Sequence, residues 1–392
     1  MPDRQPHKRR DWSWRSQAFR GLVYQIIAIV LVGTGIWYLA SNTLANMAAR
    51  GIQSGFGFLT GAAGFDIGET VLPFDALDPY WAAFLAGVLN TLRVAIIGIV
   101  LATVLGTVLG IGRFSHNALV RGLCYCYVEV FRNVPVLLQL ILWYLLFAEA
   151  LPPVNDALSA FGTFWLSKGG FSFPVPVWGL GQALAGVGLL IGIVAAIVYR
   201  RWAQAEFERT GRPRSMVLAP LAMMIAAAFI GWLVGGAPAS WNIPHPGTFS
   251  MEGGASATPE FMAVLLGLVF YTSAFIAEVV RAGIQSVSRG QTEAASSIGL
   301  NKQQSMRLVI LPQALRVIIP PITSQYLNLT KNSSLAVAIG YPDVVSIANT
   351  AINQTGRAVE CIAIVMLVYL TTSLSTSAFM NWYNARAAIK ER

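Results

Sequence analysis

The sequence is poor in charged residues. Only 11% of its 392 residues are Asp, Glu, Lys or Arg, whereas an ordinary soluble domain carries about 25%. Hydrophobic residues make up 55%, and the mean hydropathy is +0.59. These values exclude a soluble globular domain, a disordered tail and a secreted disulfide scaffold. They predict an all-α polytopic membrane protein.

Cysteine and histidine are also scarce, with three residues of each. An odd number of cysteines, two of which (Cys124 and Cys126) adjoin an apolar run, argues against a disulfide framework. No set of these residues has metal-ligand spacing, so we predict no metal site. Because no nucleophile elbow or catalytic dyad of known spacing is visible, we predict no catalytic residue.

The net charge of +9 has two interpretations. In a soluble protein it would favour a nucleic-acid partner. In a membrane protein, basic residues collect in the cytoplasmic loops instead. We therefore expect membrane lipid around the chain and no nucleic acid.

Eight apolar segments approach the roughly 20 residues that a helix needs to cross a bilayer. They are residues 21–40, 84–112, 135–150, 177–199, 216–234, 261–280, 317–329 and 359–380. The third and seventh are short, and Pro135 and the Pro320-Pro321 pair interrupt their patterns. The first is longer than the apolar region of a signal peptide, so we predict an uncleaved anchor.

The distribution of Lys and Arg predicts the orientation. With the N-terminus inside, 21 of the 27 basic residues fall in inner segments and 4 in outer ones, and Arg93 and Arg132 lie in or against the spans. This asymmetry favours cytoplasmic N- and C-termini and an even number of spans.

The chain divides into four segments by composition. Residues 1–81 hold a basic end, one anchor helix and an outer loop from Arg50 to Tyr80; residues 151–259 hold two inserted helices. The remainder, 82–150 and 260–392, is long enough for a five-helix core. Ala102, Gly106 and Gly110 recur every four residues in its first helix, a small-residue stripe that predicts close helix packing.

The inner loop 285–312 predicts two short helices at an angle. Ala294 and Ala295 are good helix formers, and Gly299 can take the left-handed conformation that ends a helix. Asn301 is a suitable N-cap, with Gln304 three residues later as its capping-box partner. Small residues beside one carboxylate, Glu293, suit the docking of a partner, and Pro312 begins or breaks the next segment.

This loop resembles the EAA loop of ABC-importer permeases. The shared residues are Glu293-Ala294-Ala295, Gly299 and Val309-Ile310-Leu311-Pro312, where the family usually has Ile in place of Val309. Residues 128–135, 278–284, 289–291, 312–314 and 331–335 narrow the resemblance to polar amino acid permeases. Residues 50–52 and 64–68, with the inserted helices, are similar to the larger permeases of general L-amino acid importers.

The resemblance implies a transmembrane subunit that moves L-amino acids across a bacterial inner membrane. A dimeric ATPase subunit would use ATP and Mg, a second homologous permease would complete the pore, and a periplasmic binding protein would deliver the amino acid. This chain would bind no cofactor, and it has no G-x-x-x-x-G-K-[ST] phosphate loop. The implied coupling residues are Glu293, Ala294, Ala295, Gly299, Leu300 and Pro312.

Arg93 is the most unusual lone charge. It lies nine residues beyond Phe84, about 13 Å into the second segment if that segment begins there. A charge at this depth usually faces a cavity or a partner. We predict that Arg93 faces the translocation path and pairs with a substrate carboxylate. One alternative is an ion pair with a neighbouring carboxylate. The other is that the helix lies higher in the bilayer, so that Arg93 is less deep.

Further path candidates are polar residues around the seventh span. Fourteen helical residues from Arg316 would cover only about 21 Å, so the following polar cluster would end inside the bilayer as unwound backbone lining a cavity. The alternative is structural hydrogen bonding. The cluster comprises Asn328, Lys331, Asn332, Ser333 and Ser334. Gln139, in the third span, is a further candidate for the substrate path, although such residues more often join helices.

Glu278 and Arg281 have the i, i+3 spacing of a helix ion pair, for which a structural role is favoured. Two other functional classes remain open. A stand-alone secondary transporter or channel would have no reason to keep the loop at 285–312. An intramembrane enzyme would need paired catalytic groups on facing helices.

Overall fold

The structure is a computed structural model that describes residues 16–49, 51, 54–211, 214–237, 240–247 and 250–387. It is mostly helical, which confirms the predicted fold class. The helices are α1 (Gln17–Ala49), α2 (Tyr80–Gly112), α3 (Ala118–Asn133), α4 (Val136–Leu145), α5 (Leu180–Thr210), α6 (Leu218–Val234), α7 (Pro259–Gln285), α8 (Arg289–Ser297), α9 (Lys302–Ser305), α10 (Leu311–Asn332), α11 (Val344–Thr355) and α12 (Ala358–Ala387). Short 3-10 segments are Phe56–Thr60, Val154–Asp156 and Ser333–Ile339, and π segments are Leu146–Ala150 and Met306–Ile310.

The sequence did not predict the short strands that flank the inserted helices. They are β1 (Leu158–Ala160), β2 (Phe164–Ser167), β3 (Gly170–Phe173), β4 (Val175–Pro176), β5 (Trp241–Asn242), β6 (His245–Pro246), β7 (Met251–Glu252) and β8 (Ala255–Ala257). One antiparallel sheet has the order β1-β2-β3-β8, and β4-β5 and β6-β7 form two-stranded ribbons. Strands of two to four residues are too short for a recognisable alternation of polar and apolar residues.

Every predicted span falls on a helix, but the number that crosses the membrane stays a prediction. Six described segments are long and apolar enough to cross: Phe19–Ala49, Tyr80–Gly112, Leu180–Thr210, Pro259–Gln285, Lys302–Ile339 and Ala358–Trp382. Helices α3 and α4 form a seventh only as a pair bent by 104°. Helix α6 is apolar but has only 17 residues.

The chain forms two compact units. The first comprises residues 1–93 and 342–392, as far as they are described. Its apolar core joins the beginning of α2 to α11 and α12, with Phe84, Ile347 and Cys361 among the buried side chains. The predicted four-segment division follows chain order rather than these units, and it stays a prediction.

The second unit, Val94–Tyr341, is built around α7. Helices α3, α4 and α10 and the rest of α2 pack on it. A Cβ added at Gly106 would lie 2.7 Å from Cβ of Ile276, and one at Gly110 would lie 2.8 Å from the Ala277 carbonyl oxygen. These approaches confirm the predicted packing of the small-residue stripe.

Pro320 and Pro321 interrupt the apolar pattern of the seventh segment but do not end its helix, because α10 runs through both prolines. Proline lacks an N–H, so the carbonyls of Arg316 and Val317 lose their usual helical donors. Packing against α7 maintains the helix instead: Ile318 is buried and fills the space that Gly283 leaves on α7.

The inserted pair is a tight helical hairpin. Glycines on both helices let the backbones touch: Gly188 on α5 lies against Ala227 of α6, and Gly231 on α6 lies against Leu184 of α5. Such small-residue contacts are typical of helix association in lipid.

Candidate functional site

The inner loop is ordered by local hydrogen bonds. Helix α8 ends in a left-handed turn in which Gly299 has φ +80°. The Leu300 N–H donates to the Ala295 carbonyl at 3.1 Å, and the Gly299 N–H donates to the Ser296 carbonyl at 3.0 Å. These two hydrogen bonds form the Schellman motif, and they confirm that Gly299 ends α8 in the left-handed conformation.

The next helix, α9, begins with the predicted capping box. The Gln304 N–H donates to Asn301 Oδ1 at 2.8 Å, and the Asn301 N–H donates to Gln304 Oε1 at 3.0 Å. A π segment follows, and α10 then begins with Pro312 in its first turn, where a missing N–H costs nothing.

The implied coupling residues differ in their exposure. Glu293, Ala294 and Gly299 are exposed, whereas Ala295 is buried. Gln313 Nε2 of α10 donates to Gln291 Oε1 of α8 at 3.1 Å. The loop is therefore a defined surface fixed to α10.

Glu278 stands at the centre of an ionic cluster between three helices. The predicted pair with Arg281 is confirmed by hydrogen bonds from Arg281 Nε to both carboxylate oxygens at 3.1 Å. Arg113, just after α2, contacts the same carboxylate at 2.5 Å, and Arg132 of α3 lies 3.8 Å from it. One carboxylate therefore joins α2, α3 and α7 by charge.

Gln139 is buried at the bend between α3 and α4. Its side-chain Nε2 donates to the carbonyls of Phe131 and Val134, both at 2.9 Å. In a continuous helix Phe131 would accept from the N–H of residue 135, but Pro135 has none. The amide therefore replaces a missing backbone donor, which favours the interpretation that Gln139 joins structural elements.

The polar cluster spans the end of α10 and the start of the following 3-10 segment, so it is helical rather than unwound, which corrects that expectation. Ser333 begins the 3-10 segment, is buried and donates from its hydroxyl to the Thr330 carbonyl at 2.7 Å. Ser334 donates to the Lys331 carbonyl at 2.7 Å, while Asn328 and Lys331 are exposed. Local hydrogen bonds satisfy the hydroxyls, so the backbone needs no unwinding. Helix α4, which carries Gln139, packs on this 3-10 segment.

Arg93 belongs to the other unit and forms an ion pair. Its Nη1 lies 2.5 Å from Oε1 of Glu69, a residue of the outer loop. Helix α2 begins at Tyr80, four residues earlier than expected, so Arg93 is farther from its start. Residues 94–112 form an uncharged run of 19 residues, about 28 Å as a helix. That length matches a bilayer core, which favours the alternative that Arg93 lies at the edge of the core rather than deep within it.

The chain matches a known transport family over most of its length. The pattern of the family described as binding-protein-dependent transport system inner membrane component matches residues 98–389. The chain belongs to this family. The matched range of this permease includes α7, the inner loop and α10.

Full-length relatives agree with this assignment. AapQ of Rhizobium johnstonii, a general L-amino acid transport system permease protein, is 46% identical, over 97% of this chain and 96% of AapQ. YhdX of Escherichia coli K12, a putative amino-acid ABC transporter permease protein, is 44% identical over 97% of each chain. BztB of Rhodobacter capsulatus, a glutamate/glutamine/aspartate/asparagine transport system permease protein, is 40% identical over 95% of each chain.

Sequence reasoning about the permease missed three charged contacts. Arg113 and Arg132 reach Glu278 from separate helices, and Glu69 reaches Arg93 from 24 residues away. None of them has helical spacing to its partner. The unusual position of Arg93 was the available signal, and an ion pair was among its alternatives.

Proposed function

We propose that the permease moves L-amino acids inward across a bacterial inner membrane, driven by ATP hydrolysis in a separate subunit. Family membership and the names of the three relatives, which are amino acid transport permeases, support this proposal. The ordered loop that carries Glu293, Ala294, Ala295, Gly299, Leu300 and Pro312 is the observation that carries the coupling.

In this proposal the loop receives a dimeric ATPase, which binds ATP and Mg. A second homologous permease completes the pore, and a periplasmic binding protein delivers the amino acid. Both termini of the chain lie in the cytoplasm, as the asymmetry of basic residues favours. The exposed carboxylate of Glu293 would fix the register of the docked ATPase, because the small residues beside it allow close approach.

The proposed substrate-path residues are Arg93 in the first unit and Asn328, Lys331, Ser333 and Ser334 in the second. Arg93 can pair with the carboxylate that all amino acids share. Gln139 contributes to the path indirectly, since its amide is engaged at the bend.

Reconstitution tests the proposal. The permease is co-expressed with its ATPase, second permease and binding protein, purified and placed in liposomes. We expect ATP hydrolysis and amino acid uptake to rise together when loaded binding protein is added. Uptake by the permease without a co-purifying ATPase would support the stand-alone transporter instead.

The matched variants Gly299→Val and Gly299→Asn test the loop. A Cβ at Gly299 meets no atom within 4 Å, so a clash cannot explain a loss. Asn tolerates the left-handed backbone and valine does not. We expect about tenfold weaker coupling of ATP hydrolysis to uptake for Gly299→Val, and near wild-type coupling for Gly299→Asn. Equal coupling in both variants would contradict the role of this turn.

A further inference from the structure

The outer loop holds α2 through one residue. Glu69 lies in the irregular stretch between the Phe56–Thr60 turn and α2. Its backbone carbonyl accepts from Asn90 Nδ2 at 2.7 Å, and its carboxylate pairs with Arg93 at 2.5 Å. Because Asn90 and Arg93 are three residues apart, they lie on one face of α2. Glu69 is therefore bound to α2 by its backbone, through Asn90, and by its side chain, through Arg93.

The two partners are not equally covered. The Glu69 side chain is 9% exposed, whereas that of Arg93 is 27% exposed. The Arg93 side chain is therefore less covered than the carboxylate that it binds. Arginine has five N–H donors in a planar fork that matches any carboxylate, so a substrate carboxylate can take the place of the Glu69 carboxylate.

Glu69 presents to Arg93 the same chemical group as a free amino acid does. A tethered group acts at an effective concentration of about millimolar. A dilute free amino acid therefore competes poorly with Glu69, whereas one released directly above the site by a docked protein competes well.

We propose that Glu69 is a built-in competitor for the substrate carboxylate, and that a delivered amino acid displaces it from Arg93. This inference rests on the proposed function. The outer loop then prevents dilute free anions from binding to Arg93 and allows delivered amino acids to bind. Asn90 holds the Glu69 backbone during the exchange, so the carboxylate can return after each cycle.

Direct binding tests the displacement. The purified complex without binding protein is titrated with radiolabelled L-glutamine, L-glutamate and L-arginine, as wild type, Glu69→Gln and Arg93→Gln. We expect Glu69→Gln to bind at least one of them about tenfold more tightly than wild type, since no charged hydrogen bond must be displaced. Arg93→Gln should bind none. Equal binding by all three forms would overturn the inference.

A charge swap distinguishes a competitor from a structural ion pair. In Glu69→Arg/Arg93→Glu the pair can re-form, but a carboxylate on α2 repels the substrate carboxylate. We expect wild-type assembly and thermal stability with at least tenfold lower uptake. Wild-type uptake by the swap would overturn the inference.

A control pair separates this result from general charge effects. Lys168 and Glu149 form an exposed pair at 3.7 Å, so Glu149→Gln should leave binding and uptake unchanged. If the wild-type complex shows no ATP hydrolysis stimulated by loaded binding protein, the proposed function fails. If that stimulation is intact and the swap transports normally, only the competitor role fails.

Discussion

The side-chain amide of Gln139 donates to the Phe131 carbonyl, which Pro135 leaves without its helical donor. The bend of 104° between α3 and α4 is therefore stabilised by a side chain eight residues away rather than by backbone hydrogen bonds. In the membrane such a replacement matters, because no water is available to satisfy the carbonyl.

Gln139→Leu should destabilise the permease, because it leaves the carbonyls of Phe131 and Val134 without their donor. We expect a loss of about 1–3 kcal/mol, the usual cost of buried polar groups that lose their partners. Thermal unfolding of the purified complex measures it. The neighbouring Leu138 is 56% exposed, so Leu138→Ala should have little effect. Equal melting temperatures for both variants would show that the amide does not stabilise the bend.

Gly106→Leu should separate α2 from α7. Even the first side-chain carbon would meet Ile276 and the Ser273 carbonyl within 3 Å, and backbone cannot yield cheaply. We expect a loss of about 1–3 kcal/mol or more, read as a lower melting temperature. The matched variant is Gly186→Leu on α5, where a Cβ meets nothing within 4 Å. A stable Gly106→Leu protein would contradict the close packing.

Glu278→Gln should leave Arg113, Arg132 and Arg281 without their shared counter-charge. Because the Glu278 side chain is only 25% exposed, we expect a loss of about 1–3 kcal/mol in stability. The exposed Glu149→Gln control should lose less than about 1 kcal/mol. Denaturant or thermal unfolding in one detergent compares the two. A larger effect at Glu149 would rule out the ionic cluster as a stabilising contact.

Asp343 should make stability depend on pH. It lies between the spans Lys302–Ile339 and Ala358–Trp382, and burial raises the pKa of its carboxyl from 3.8 to about 7. The folded state therefore holds a proton that the unfolded state releases between pH values near 4 and 7. The stability contribution is complete below the unfolded pKa and is lost as pH rises through the folded pKa, with a slope of up to about 1.4 kcal/mol per pH unit.

The measurement is the melting temperature at pH 5 to 8. Asp343 accepts from the Ser346 N–H at 2.8 Å as the N-cap of α11. Asp343→Asn keeps a capping oxygen but cannot ionise, so the fall with pH should flatten. Asp66→Asn, at an exposed site, should keep the wild-type slope. An unchanged slope in Asp343→Asn would mean that another group causes it.

What the sequence predicted well was local. The Asn301–Gln304 capping box, the Gly299 turn and the Glu278–Arg281 pair each join residues within a few positions, where backbone geometry dictates the contact. The length of the apolar runs predicted where the helices lie, because such a run is also a property of consecutive residues.

What the sequence missed depends on packing between distant segments. Arg113 and Arg132 meet Glu278 only after three helices assemble. Helix α10 crosses Pro320 because burial against α7 outweighs the local cost of proline. The Glu69 contact requires an irregular loop to lie along α2, and no periodic pattern specifies such a path.

Helix α7 follows the strand β8 after a single residue, Thr258, whose side chain accepts the Phe261 N–H. It runs for 27 residues with no proline inside and leads into the inner loop. A helix of this length is about 40 Å long. If α7 turns as a rigid rod, a tilt of about 5° shifts one end by roughly 3.5 Å relative to the other. The four-stranded sheet that contains β8 and the inner loop therefore lie at opposite ends of one long helix, so a displacement at either end is transmitted to the other.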